Sequence, residues 1–203
     1  MIMTRSILIA GVGGQGIILA GKVISNALLK SGYDVKMSEL HGMSQRGGSV
    51  TSQIRFGKKT HTPLIEKGDA DILLAFEKLE ALRYIDYLSQ DGTLILNDFE
   101  IPPMSTIVGG QTYPGEEMFD ELNDKVESLV VLDAAEIAKE NGNIRAQNIV
   151  LVGALVKALD LDKDIFEETI REVVPERFLE VNLKSLNSGW SIAKANEPKL
   201  VKA

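Results

Sequence analysis

The chain has 203 residues, 44% of them hydrophobic and 25% charged, which fits one soluble globular domain with a sizeable buried core and is too short for two large ones. Lys and Arg number 22 against 29 Asp and Glu, a net charge of -7 that disfavours a general nucleic-acid or anionic-membrane surface and still allows a local basic site. The absence of cysteine excludes a disulfide, a thiol nucleophile and the usual thiolate ligands of an iron-sulfur cluster, so any such chemistry must sit on another chain.

Met1-Ile2-Met3-Thr4-Arg5 leads directly into an apolar run, without the charged region and cleavage site of a signal peptide. The longest apolar runs, Ile7 to Val12 and Ile149 to Leu155, fall far short of the about 20 residues of a membrane span. A cytoplasmic protein is expected. Ser6 to Ala10 is the first predicted strand, followed by a Gly-rich turn and a helix with apolar residues at Ile17, Ala20, Ile24 and Leu28, closed by Gly32. Asp34 to Ser38 is a second, less apolar strand. From Val50 to Phe56 the residues Val50, Ser52, Ile54 and Phe56 alternate with Thr51, Gln53 and Arg55, the period of a sheet with two unlike faces. Only Glu39 to Ser49 separates these strands, too little for a crossover helix, so the chain is expected to return as an antiparallel neighbour in a mixed sheet.

Asp71 to Phe76 reads as a buried strand, and Leu79, Leu82, Ile85 and Leu88 mark one face of the helix after it. Gly92 is taken as a turn before a strand from Thr93 to Asn97. Pro102-Pro103 breaks the chain, Pro114 suits the first turn of a polar helix to about Glu127, and Leu129 to Leu132 is the last strand. The C-terminal third is expected to be helical at 134 to 141, 146 to 159, 163 to 173 and 177 to 186, stopped by Gly142, Asp160, Pro175 and Gly189. With no repeat and no linker, residues 1–203 read as one three-layer α/β/α domain with a mixed, mainly parallel sheet, on which C-terminal helices from about 134 pack.

The strongest chemical signal is Gly11-Val12-Gly13-Gly14-Gln15-Gly16, placed between strand and helix as a phosphate-binding turn requires. Glycine lets backbone approach a ligand, and the helix behind it aims unpaired N–H groups and its positive dipole end at the turn. The plainer reading is that these glycines only let helix and strand pack closely. Glu39, near the end of the second strand, stands where a nicotinamide-binding fold holds the ribose hydroxyls, but the missing crossover helix opposes that reading. The segment His41-Gly42-Met43-Ser44-Gln45-Arg46-Gly47-Gly48-Ser49 looks like a second ligand loop, with one guanidinium among glycines suited to grip a phosphate. An exposed Gly-rich hairpin is its bland alternative. Gly68-Asp69-Ala70 with Asn97 faintly suggests a thiamine site; the preferred reading is that Asp69 starts a strand and Asn97 ends one. His41 and His61 have no carboxylate or histidine at metal-site spacing, and His61 beside Pro63 reads as a turn residue. Trp190 and the stripe Phe178, Val181 and Leu186 suit helix packing or a subunit contact.

The pairing of GVGGQG with ELHGMSQRGGSVTSQIRFG resembles the gamma-type domain of 2-oxoacid:ferredoxin oxidoreductases. FEKLEALRYIDYLSQDGTLILND, QNIVLVGAL and EVNLKSLNSG are similar to one branch of it, the beta subunit of indolepyruvate ferredoxin oxidoreductase, and the resemblance runs from about Ser6 to Gly189. It implies a non-thiamine subunit of an enzyme that oxidatively decarboxylates an arylpyruvate, forms an acyl-CoA and passes electrons to ferredoxin. It further implies that thiamine diphosphate, magnesium and the 4Fe-4S clusters sit on a partner alpha subunit in a hetero-oligomer. This chain would then contribute the coenzyme A site and walls of the active-site cleft, through Gly11, Gly13, Gly14, Gln15 and Gly16 and the loop residues Ser44, Gln45, Arg46, Gly47 and Gly48. Where some relatives have two lysines this chain has Gln45-Arg46, which keeps one cation. Asn148 matches a polar family position that meets ligand or interface. No catalytic residue and no metal ligand is assigned to this chain. The competing readings are a stand-alone NAD(P)-dependent dehydrogenase and a purely structural subunit.

Overall fold

The computed structural model describes residues 4–41, 47–103, 113 and 116–195. Six strands and seven helices lie among them: β1 (Arg5–Val12), α1 (Ile17–Lys30), β2 (Asp34–His41), β3 (Ser49–Gly57), β4 (Ala70–Ala75), α2 (Lys78–Tyr84), β5 (Leu88–Asn97), α3 (Glu116–Lys125), β6 (Ser128–Leu132), α4 (Ala134–Glu140), α5 (Gln147–Ala158), α6 (Lys163–Val173) and α7 (Leu179–Ala195). One sheet runs in the order β2-β3-β1-β4-β5-β6. β1, β4, β5 and β6 pair in parallel, whereas β3 is antiparallel to both of its neighbours, β1 and β2. The short β2–β3 connection explains this: without a crossover helix the chain reverses, and β3 inserts between β2 and β1. The expected mixed, mainly parallel sheet is therefore present.

Alternation along each strand divides the core into two. Ile7, Ile9, Ile54, Phe56, Ile72, Leu74 and Ile95 face a cluster built with residues of α1 and α4 to α7. Leu8, Ala10, Leu73, Ala75, Leu94 and Leu96 face the other way, toward Ala81 of α2 and Met118 and Leu122 of α3. Helices thus cover both faces of the central strands, which is why Ile7 to Ala10 form an unbroken buried run. The C-terminal helices all join the first cluster, as their apolar spacing requires.

Three expected boundaries are wrong. Leu88 begins β5; α2 ends at Tyr84 and a 3-10 turn follows at Ile85–Tyr87. Gly92 is a strand residue, and a Cβ there would lie 2.9 Å from the Ala70 carbonyl oxygen, beside the register shift between β4 and β5. Its missing side chain serves close strand approach at an irregularity, which a sequence also displays as a turn. Gly189 does not stop a helix, because α7 runs on to Ala195. A Cβ at Gly189 would meet the Val150 carbonyl oxygen at 1.9 Å, and one at Gly153 the Leu186 carbonyl oxygen at 2.2 Å. The two glycines face each other where α5 and α7 cross backbone to backbone. Gly32, Gly142 and Asp160 do end helices, each with positive φ. Pro114 lies outside the described residues.

Candidate functional site

The helices after β1 and β4 leave on opposite faces of the sheet, so the carboxyl ends of these neighbours form its topological switch point. In this protein that point is filled by amides. Gln15, 7% exposed, accepts the Val12 N–H at 2.7 Å through Oε1 and donates through Nε2 to the Phe76 carbonyl at 2.9 Å, tying the Gly-rich turn to the end of β4. Asn97, fully buried, donates to the same carbonyl at 3.1 Å and accepts the Ala134 N–H at 3.0 Å, which adds the ends of β5 and α4. Gly11 lies beneath, where a Cβ would come within 2.7 Å of the Phe76 Cβ. Gln15, Gly11 and Asn97 hold the turn in place.

The open space lies on the α1 side. A cleft of about 380 Å³ is lined by Gly13, Gly14, Gly16, Ile17, Ile18, Glu39, His41 and Val50. Its floor is the start of α1, whose N-cap is Gly16 in the left-handed conformation (φ 84°), with no side-chain cap and no acidic residue in the first turn. Among the described residues, the side-chain partner that usually satisfies the first N–H groups is thus missing at an end that opens into a cleft. Gly14, with φ 107°, has open space where a Cβ would stand, and Ile18 is 54% exposed. Asn148, 2% exposed at the start of α5, donates through Nδ2 to the Gly16 carbonyl at 3.2 Å. A Cβ on Gly16 would meet that Nδ2 at 2.7 Å. Asn148 therefore supports the turn from behind.

The two Gly-rich segments meet. The Gly13 N–H donates to the Gly48 carbonyl at 2.9 Å, and the Gly47 N–H donates to the Gly13 carbonyl at 3.3 Å. Gly11, Gly13, Gly14, Gln15, Gly16, Gly47, Gly48 and Asn148 are thus brought together, whereas Ser44, Gln45 and Arg46 lie outside the described residues. Glu39 also lines the cleft, but β3 separates β2 from β1, so the carboxylate sits two strands away from the Gly-rich strand. In a nicotinamide-binding fold the acidic strand is the direct neighbour.

Asp69 precedes β4 and pairs with Arg55 at 3.4 Å, whereas Asn97 ends β5, which runs parallel to it. They occupy opposite ends of the sheet, roughly 20 Å apart at about 3.3 Å per residue. They do not form a thiamine site, and a chain without cysteine has no thiolates for an iron-sulfur cluster. His61 lies in the irregular segment between β3 and β4, away from the cleft. Trp190 packs under the ammonium groups of Lys157 and Lys163, with centroid distances of 5.2 and 5.7 Å.

The sequence reading passed over Ile18 and Val50 as cleft walls and Glu80 altogether. Glu80 is 3% exposed on α2, and its carboxylate accepts the Ser49 hydroxyl at 2.5 Å. Burial pushes its pKa up, opposed by the Ser49 hydrogen bond and Arg83 and assisted by Glu77. A glutamate in a short amphipathic helix gives no sign of this in sequence.

Residues 6–192 match the family described as pyruvate ferredoxin/flavodoxin oxidoreductase. The chain is 41% identical over 196 residues to indolepyruvate oxidoreductase subunit IorB of Pyrococcus horikoshii, covering 93% of this chain and 96% of that one. It superposes on the gamma subunit of a keto/oxoacid ferredoxin oxidoreductase from Geobacter sulfurreducens with a TM-score of 0.71 and 27% identity, over 94% of this chain and 99% of that one. A 2-oxoglutarate:ferredoxin oxidoreductase from Magnetococcus marinus, solved with 2-oxoglutarate, coenzyme A and succinyl-CoA bound, shares the fold at TM-score 0.72 and 24% identity, with 95% of this chain matching 31% of that one. The chain therefore belongs to the pyruvate ferredoxin/flavodoxin oxidoreductase family, as a subunit of a 2-oxoacid:ferredoxin oxidoreductase.

Proposed function

We propose that this chain is the non-thiamine subunit of an indolepyruvate or related arylpyruvate:ferredoxin oxidoreductase, and that its cleft takes coenzyme A during CoA-dependent oxidative decarboxylation. The observation that carries the reading is the uncapped start of α1, opening into a cleft beside the end of the β2–β3 loop. The pyrophosphate of coenzyme A would accept from backbone N–H groups at Gly14 and Gly16, where an anion meets the positive end of the helix dipole, while the Gly13 N–H stays on the Gly48 carbonyl. Ser44, Gln45 and Arg46 would close on it from the loop, Arg46 as the one cation between Glu39 and Ser49. Gln15 and Asn148 would act through the turn they brace. The indolepyruvate preference takes its support from the 41% identical relative.

In this reading residues 1–203 form one gamma-type domain carrying the helices from about 134. A partner alpha subunit supplies thiamine diphosphate, magnesium and 4Fe-4S clusters and passes electrons to ferredoxin, and the hetero-oligomer works in the cytoplasm. Thiamine diphosphate held by the partner would supply the electron sink for decarboxylation, and this chain would supply binding and orientation.

Arg46→Ala in the assembled enzyme tests the reading. Loss of a charge-assisted contact worth about 1.5 to 3 kcal/mol raises the KM for coenzyme A roughly tenfold to hundredfold. The KM for the 2-oxoacid stays constant, because only coenzyme A carries the pyrophosphate, and the melting temperature stays near wild type. If both constants are unchanged, the loop is not the coenzyme A site. If the complex dissociates, Arg46 is an interface residue.

A further inference from the structure

Ser49 opens β3 opposite Val12 in the β1–β3 register, directly after the two glycines that exchange hydrogen bonds with Gly13. Successive side chains on a strand point to opposite faces. Val50 therefore lines the cleft on the α1 side, and Ser49 reaches through to α2 on the other side. There its hydroxyl donates to Glu80 Oε2 at 2.5 Å and lies 3.3 Å from the Tyr84 hydroxyl.

The carboxylate that receives it is costly to keep. Glu80 is 3% exposed, and its one ion pair among the described residues, to Arg83 at 3.3 Å, is with a side chain half in solvent. Glu77, also buried, faces it from the start of the same helix, but that carboxylate is occupied by the Glu80 and Ile101 N–H groups and the Tyr113 hydroxyl. An apolar side chain of similar size would serve stability at this position as well or better. The Ser49 contact is what an apolar residue could not make.

We propose that Glu80 is a positioning residue for the anion-binding turn. By holding the Ser49 hydroxyl from the far face of the sheet, it fixes the end of the β2–β3 loop so that the Gly47 N–H and Gly48 carbonyl meet Gly13. The geometric half of this inference stands on the hydrogen bonds alone; its consequence for binding rests on the coenzyme A reading.

The test uses the assembled enzyme with Glu80→Leu, Ser49→Ala and the conservative Glu80→Gln, which keeps an acceptor for Ser49. Hydrogen exchange at the Gly13 and Gly47 amides and calorimetric titration with coenzyme A are measured on each. Glu80→Leu and Ser49→Ala are expected to speed exchange at both amides and weaken coenzyme A binding about three- to tenfold, the range of one lost hydrogen bond. Glu80→Gln restores much of both, and the melting temperature of Glu80→Leu does not fall. A residue serving only stability would lower the melting temperature and would not be rescued in this way. Unchanged amide exchange in Glu80→Leu overturns the proposal. If exchange changes as expected and wild type binds no coenzyme A, the positioning role holds and the coenzyme A reading fails.

Discussion

Gln15 reads from sequence as a ligand-facing group and Asn148, through the resemblance, as a residue that meets ligand or interface, and the fold turns both amides inward. The Gly-rich motif singles out Gln15 but gives no direction for its side chain, because a turn of four or five residues aims consecutive side chains to different sides. Gln15 has the larger structural role of the two, since its amide is both the cap for the Val12 N–H and a link to the Phe76 carbonyl. Gln15→Ala is expected to destabilise the protein by about 1 to 3 kcal/mol, because it leaves a buried N–H without its partner, and to weaken coenzyme A binding with it. Urea unfolding checks the first effect. A stability equal to wild type would show that water or backbone rearrangement replaces the amide. Glu80 is the opposite case, an ionisable group whose contacts bring it little stability and whose neighbour is the loop.

At the scale of the element, the α5–α7 crossing decides how the C-terminal helices sit. Gly153 and Gly189 allow backbones to touch, and the Val150 and Leu186 carbonyl oxygens occupy the places where their Cβ atoms would be. Gly189→Ala is therefore expected to cost about 2 to 3 kcal/mol, through overpacking against backbone that has no rotamer to change. Thermal unfolding of the variant checks this, and a shift of less than a degree would contradict the contact. The same crossing shows why one boundary was hidden in the sequence. A glycine near a helix end has two explanations, chain reversal or close approach, and only the partner helix separates them. Gly92 in β5 misleads for the same reason. The alternation of β3 and the buried runs of β1 and β4 were legible, since a three-layer sheet imposes its period on the residues directly.

On the scale of the whole molecule, the antiparallel return of β3 could be inferred from the length of the connection; its insertion between β2 and β1, which the connection length does not give, separates this fold from a dinucleotide-binding one. The location of the cleft could not be inferred in the same way. It depends on which neighbours fill the switch point, and that role falls to Gln15, Phe76 and Asn97, which are far apart in sequence. The resulting site faces the α1 side, with Ile18 and Leu40 exposed at 54% and 52%. Ile18 offers the most direct test, because it lines the cleft from the first turn of α1 and is not part of the core. Ile18→Asp places a carboxylate where the helix dipole favours one, so folding is unaffected or improved. The same carboxylate repels a pyrophosphate a few ångströms away, by an amount that weakens binding about tenfold or more. Calorimetric titration of the assembled Ile18→Asp enzyme with coenzyme A is expected to give that loss with an unchanged or higher melting temperature; a stable variant that binds coenzyme A as tightly as wild type contradicts the assignment of the site.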